Sequence, residues 1–195
     1  MSDHRLLERF VAAFEKLDDL TVWGDDQLIP AELDAGTDDS QRANRKWKPA
    51  AVETERAALT AIYEHLPASF PPLYEDLILS YRWLDVELDG FASLFANASG
   101  PAFSGLFSRM TAVRAFVEVL FPLGLIPFGH GTGDNYDPVC FATARRHRRH
   151  GDCPIVQVEH ESVLCNLRIG KSWEIAESFR SFVEGVLEKA ENLGQ

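Results

Sequence analysis

Near residue 124 the hydrophobic period of the chain changes. Before it, apolar residues recur mostly at helical spacing. After it come four short, β-rich runs, GLIPFG, DPVCFAT, CPIVQVEH and VLCNLR, separated by turn residues. Such runs read as adjacent, mainly antiparallel strands. A helical pattern then closes the chain. Ser172 is the expected cap of WEIAESFRSFVEGVLEKAENL, with Ile175, Phe179, Phe182, Val183, Val186 and Leu187 on one face. Helices, then strands, then a helix predict an α+β fold: N-terminal helices and a C-terminal helix packed against a mostly antiparallel sheet.

The upstream segments fill in that outline. Residues 3–19 read as an amphipathic helix with Leu6, Phe10, Ala13, Phe14 and Leu17 on one face. From Asp18 to Asp39 there are eight acidic residues and no Lys or Arg, and residues 31–48 read as a polar loop or linker anchored at its end by Trp47. A second helix is expected over 51–65, striped by Val52, Leu59, Ile62 and Leu66 and ended before Pro67. A third starts at SFPPLYEDLILSY, where proline suits a first turn, with Leu73, Leu77, Ile78 and Tyr81 inward. Leu84, Val86 and Leu88 alternate with acids as a strand, and Asp89-Gly90 turns it. Residues 91–101 read as a small-residue loop. A fourth helix is expected over 102–121 on Leu106, Met110, Val113, Val117 and Leu120, stopped by Pro122 and Gly124. This divides the chain into an N-terminal helix with an acidic, partly irregular extension over 1–50 and an α+β domain over 51–195.

The 195 residues are 46 % hydrophobic and 25 % charged, enough for a packed core without disulfides. The net charge of −11 disfavours nucleic acid and anionic membranes as direct partners and favours a basic protein. Cys140, Cys153 and Cys165 are odd in number, lack CxxC spacing and lie in apolar runs, as in a reduced, cytoplasmic chain with inert thiols. The charged N-terminus does not read as a signal peptide. The longest apolar run, FVEVLFPLGLIPF, falls short of the roughly 20 residues that span a bilayer.

The stretch PFGHGTGDNYDPVCFAT is the richest in chemistry. Its glycines suit an anion cradle, but such a loop precedes a helix and here a strand follows. His130, Asp134, Asp137 and His160 carry metal-ligand chemistry without metal-ligand spacing. A strand–strand turn is the simpler reading of both. RRHRRHG, residues 145–151, is the one dense basic run, read as a solvated hairpin loop against a phosphate contact. Glu159 and Glu161 would share one strand face and His160 the other, which disperses an acid–base set. Trp83 and Trp173 are expected in the core. Trp23 and Trp47 lie outside clear periodic elements.

Taken together, Leu66-Pro67 before SFPPLYEDLI, Pro127-Phe128-Gly129, Gly133-Asp134, PIVQVEHES, and Ile175-Ala176 with Ser178-Phe179 form an ordered set. In this order the chain from about Val52 to Leu187 resembles the SUKH superfamily, which includes the Smi/Knr-like fungal cell-wall regulators and many bacterial immunity proteins. The resemblance implies a largely antiparallel central sheet, no catalytic residues and no cofactor. It implies a non-enzymatic module that binds a toxin domain, often a nuclease; a stand-alone regulator or scaffold is the alternative. Gly129, Gly133 and Asp134 would then build a structural turn, with Asp134 bracing it. An enzyme using the Gly129–Asp137 turn, with a small molecule or metal, ranks third. Two departures stand out: the Asp-Gly at 89–90 comes late, and the first 50 residues lie outside the pattern. In the acidic segment, Trp23, Asp25, Asp26, Asp38 and Asp39 are the candidate contacts for a basic partner.

Overall fold

A computed structural model describes residues 2–23, 29–37, 44–98, 100–147 and 150–193. The N-terminal pattern forms α1 (Asp3–Ala12) and α2 (Phe14–Leu17), with Leu6, Leu7, Phe10 and Phe14 buried. Asp18 and Asp19 end the helices by accepting the N–H groups of Leu20 and Thr21 at 3.2 and 3.0 Å.

The expected linker over 31–48 contains strands instead. β1 (Thr21–Trp23), β2 (Asp34–Thr37) and β3 (Asn44–Trp47) form an antiparallel sheet in the order β1-β3-β2. Its strands are short and largely polar, so they carry no alternation to read. What holds them is local: the Asp34 carboxylate accepts Gly36 N–H at 2.9 Å and pairs with Arg45 at 2.5 Å. Those two contacts hold its pKa below the usual carboxylate value. Leu33 and Trp47 sink into the main core, so the anchor role expected of Trp47 stands.

β4 (Ala50–Ala51) takes the start of the expected second helix. Residues 52–54 stay extended because Val52 and Thr54 donate to the carbonyls of Ser80 and Leu79. Only a 3-10 turn, Arg56–Leu59, and α3 (Thr60–Tyr63) are helical. α4 (Pro72–Ser80) begins at its proline as expected and runs into β5 (Tyr81–Arg82), the partner of β4.

β6 (Val86–Leu88) and β7 (Ala92–Leu94) form a hairpin through Asp89-Gly90, so the expected loop over 91–101 begins as a strand. The fourth helix is two, α5 (Ser104–Thr111) and α6 (Arg114–Leu120), parted at Val113, whose backbone is extended. The break lets α5 bury Leu106 and Met110 in the larger core while α6 buries Leu120 in the smaller one. β8 (Leu125–His130), β9 (Pro138–Ala142) and β10 (Ile155–Val158) follow. VLCNLR is helical, not a strand: α7 (His160–Asn166) starts where the Asp137 carboxylate accepts the His160 N–H at 2.8 Å. β11 (Ser172–Ala176) occupies the expected start of the last helix. α8 (Phe179–Asn192) begins later, because Ser178 and Ser181 form a reciprocal capping box.

β6 to β11 make one antiparallel sheet in sequential order. Together with the helices before and after it, this is the α+β architecture expected. Alternation along β8, β9 and β10 divides the core. Ile126, Phe128, Val139, Phe141 and Ile155 face a large cluster that also takes in α1, α4 and α8. Leu125, Cys140, Ala142, Val156 and Val158 face a small cluster with Leu120 and Val163. The N-terminal segment thus shares one core with the rest: Phe10 packs edge-on against Phe179, and Arg9–Glu191 and Arg180–Asp3 pairs tie α1 to α8. Trp83 is buried as expected, its indole N–H on Phe95 O at 3.0 Å. Trp173 is not: on the edge strand β11 it is 46 % exposed.

Candidate functional site

The turn that joins β8 to β9 is built for close packing. A Cβ on Gly129 would lie 2.4 Å from Ser93 O, so only glycine lets β8 approach β7 there. Gly133 has φ +64 with open space around it, so backbone conformation selects it. Asp134 is exposed and does not brace the turn as expected. Asn135 Oδ1 accepts Asp137 N–H at 2.9 Å and a Glu87 oxygen accepts Gly133 N–H at 3.2 Å. Asn135 meets the backbone two residues on, the usual reach of a short amide side chain.

His130 ends β8 with Nδ1 2.7 Å from Gly131 O. His160 Nδ1 lies 2.6 Å from Asp137 Oδ1, so this pair fastens the turn to α7. Of the four candidate ligands, only these two meet. Among the described residues, no group of three or more His, Cys, Asp or Glu is placed to hold a metal. Glu159 precedes α7 and its carboxylate accepts Ser162 Oγ–H at 2.5 Å, while Glu161 lies on the first turn. The strand expected to hold both acids does not extend that far.

Beside this turn, on the small-cluster side of the sheet, lies an open groove of about 390 Å³. Pro127 and Gly129 of β8 and Pro138 of β9 line it, with Met110, Val113 and Phe116 from α5 and α6 and Leu164 from α7. Tyr136 stands at it 63 % exposed, with Val113 at 36 % and Leu164 at 46 %. Its polar elements are engaged: Arg109 lies 5.4 Å over the Phe95 ring and pairs with Asp85 at 2.7 Å, and His130 rests against Phe95 and Tyr136. The sequence reading missed this surface. Val113 passed as part of a continuous helical stripe and Leu164 as a strand residue. The available signal was Tyr136, an aromatic set among polar turn residues.

A second, more polar cavity of about 530 Å³ lies at the start of α8, lined by Asp3, His147, His150, Asp152, Glu177 and Arg180. Its buried Asp152 accepts the N–H groups of Cys153, Phe179 and Arg180 at 2.8, 2.9 and 3.3 Å, and so serves the fold. The basic run is partly structural as well. Arg145 pairs with Glu174, and Arg146 donates to Ser69 O; Arg148 and Arg149 lie outside the described residues.

Of the candidate partner contacts, Trp23 ends β1 with its backbone paired to Asn44; Asp25, Asp26, Asp38 and Asp39 lie outside the described residues. The described strand ends around them are adjacent, because Trp23 pairs with Asn44 and Thr37 with Arg45. Burial pushes the Cys140 thiol far up and the Cys153 thiol up to about 12. Cys165 is exposed on α7, contrary to the buried strand position expected. Among the described residues, no helix is long and apolar enough to cross a membrane. Comparison of the chain with protein-family models, curated proteins and solved structures returns no match.

Proposed function

We propose that the chain is a non-enzymatic protein-binding module of SUKH type, an immunity protein that neutralises a basic toxin domain by direct contact. The observation that carries this reading is the groove flanked by Tyr136, Val113 and Leu164. Three large apolar side chains are held open to solvent around an apolar hollow by a turn, a helix break and a short helix. Exposed apolar surface gathered in one place marks interaction sites, and a tyrosine at such a hollow is a common binding anchor. The net charge of −11 supplies the second element: it speeds encounter with a basic partner and would compete for a nucleic-acid groove. The antiparallel sheet with flanking helices suits the SUKH resemblance. A cytoplasmic location and the candidate contacts Trp23, Asp25, Asp26, Asp38 and Asp39 belong to the same proposal.

The test is a pull-down from the native host with the tagged chain at low and high salt, repeated with Tyr136→Asp/Leu164→Asp. The expected result is one basic protein, recovered at low salt, lost at high salt and lost in the variant, whose activity the purified chain inhibits. A partner that binds without being inhibited moves the reading to a regulator or scaffold. Recovery unchanged by the variant removes the groove from the contact surface.

A further inference from the structure

The six-stranded sheet ends differently at its two edges. At β6 the outward N–H of Glu87 is taken by the Asp18 carboxylate at 2.7 Å, and α2 packs alongside. At β11, Lys171, Ser172, Trp173 and Glu174 are all exposed, and β10 is the strand's one sheet partner among the described residues. An uncovered edge strand is a template for another chain, and folds commonly shield it.

Register decides which backbone groups of β11 are free. Glu159 N donates to Lys171 O at 3.0 Å, and Trp173 pairs with Gln157 two residues along. Hydrogen-bonded and non-hydrogen-bonded pairs alternate in an antiparallel ladder. Lys171 and Trp173 therefore turn their amides toward β10, and Ser172 and Glu174 turn theirs outward. Beyond Glu174 the register shifts at a bulge, so the regular run stops there.

We infer that β11 is a self-pairing edge, on which a second copy of this chain docks antiparallel across a two-fold axis at Trp173. Three alignments bring the outward groups together. An axis at Glu174 sets two carboxylates face to face, which opposes pairing. An axis at Ser172 sets each Glu174 opposite Gly170, which offers no side chain. An axis at Trp173 sets Ser172 of each copy opposite Glu174 of the other. The hydroxyl then meets a carboxylate that Arg145 already holds, and the outward amides and carbonyls of Ser172 and Glu174 form four intermolecular bonds. Trp173 faces its own copy at a non-hydrogen-bonded position, where Cα atoms approach to about 4.5 Å. The exposed indole is covered in the act, as aromatic cross-strand pairs favour. Unlike the axis at Glu174 it avoids like charge and ends before the bulge, and unlike the axis at Ser172 it pairs every outward group with a residue of β11 that carries a side chain. The paired run is short, so the dimer is concentration-dependent.

The experiment is sedimentation of the full chain from low micromolar to near-millimolar concentration, with Ser172→Pro beside it. Proline removes an outward donor that the fold does not use, at a position an edge strand tolerates. The expected result is a monomer–dimer equilibrium whose dissociation constant rises at least about tenfold in Ser172→Pro, with melting unchanged. A cross-linking arm holds if that variant does not fold. In a Cys165→Ser background, Ser172→Cys and Glu174→Cys chains are oxidised separately and mixed. Opposite positions in a hydrogen-bonded pair lie about 5.5 Å apart, within disulfide reach. The mixture is expected to cross-link and each variant alone is not. A chain monomeric at every concentration overturns the inference. So does a dimer indifferent to Ser172→Pro, or Glu174→Cys cross-linking as well alone as in the mixture.

Discussion

The two faces of the central sheet are finished to different standards. One is sealed: Phe128, Phe141, Phe179 and Phe182 form two stacked pairs with edge-on contacts between them, and Phe70, Tyr74 and Phe10 close the ring around them. The other carries small side chains, Cys140, Ala142, Val156 and Val158, under α6 and α7, and leaves a groove over Pro127 and Gly129 whose exposed rim is Val113, Tyr136 and Leu164. The sealed face holds the stability of the fold. The other gives up burial at one corner, and the groove is what that leaves open. On the proposed reading, the division separates residues whose loss unfolds the chain from residues whose loss weakens partner binding.

Phe179→Ala tests this most severely. The ring is fully buried at the centre of the sealed face, and its loss should lower stability by about 3–5 kcal/mol. Phe116→Ala, half-buried at the groove, should lower it by about 1 kcal/mol. Urea denaturation of both variants checks the ratio; equal losses would dissolve the distinction. Next in size is Asp152→Ala. It removes a buried acceptor for the first two N–H groups of α8 and for that of Cys153, at about 2 kcal/mol, read as a lower melting temperature.

Tyr74→Phe acts in the opposite direction. The Tyr74 hydroxyl is buried without a hydrogen-bond partner among the described residues, and burial pushes its pKa up, so it stays protonated. Its desolvation is uncompensated, so removing it should raise stability by up to about 1 kcal/mol. A measurable loss would mean that the hydroxyl has a partner inside the sealed face.

Legibility in the sequence followed the same division. The sealed face announces itself in residue patterns: Leu6 and Phe10 on α1 with Phe14 on α2, Leu73 and Leu77 on α4, and Phe179, Phe182, Val183, Val186 and Leu187 on α8 repeat at helical spacing and are buried. The open face depends on interruptions that no periodicity encodes. Val113 leaves the helical region inside an intact stripe, and α7 replaces a strand because a carboxylate 23 residues away meets its first N–H. The start of α8 was misplaced by six residues because Ser172 and Ser178 both offer a cap, and only the latter has Ser181 to complete the box. Within the candidate site, the turn was readable from Gly129 and Gly133, whereas the groove beside it needed the positions of three separate helices.

The smallest effect at neutral pH comes from the thiols, and it compares the faces within one molecule. Cys153 lies in the large cluster, Cys140 in the small one, and Cys165 at the surface. A thiol reagent reacts with thiolate, so Cys165 should label at once in the native protein while the buried pair waits for local opening. Cys140 should react before Cys153 if the small cluster opens more readily; the reverse order would show that the groove side is the tighter one. The pH dependence has a definite sign. Both buried thiols keep their protons to higher pH folded than unfolded. Their contribution to stability is therefore fully present below about 8.5, the ordinary thiol value, and is lost as pH rises through it towards the folded values, about 12 for Cys153. Cys140→Ala/Cys153→Ala should flatten the alkaline fall in stability between those limits. An unchanged slope would assign that fall to other groups and leave labelling order as the measure of how differently the two faces are closed.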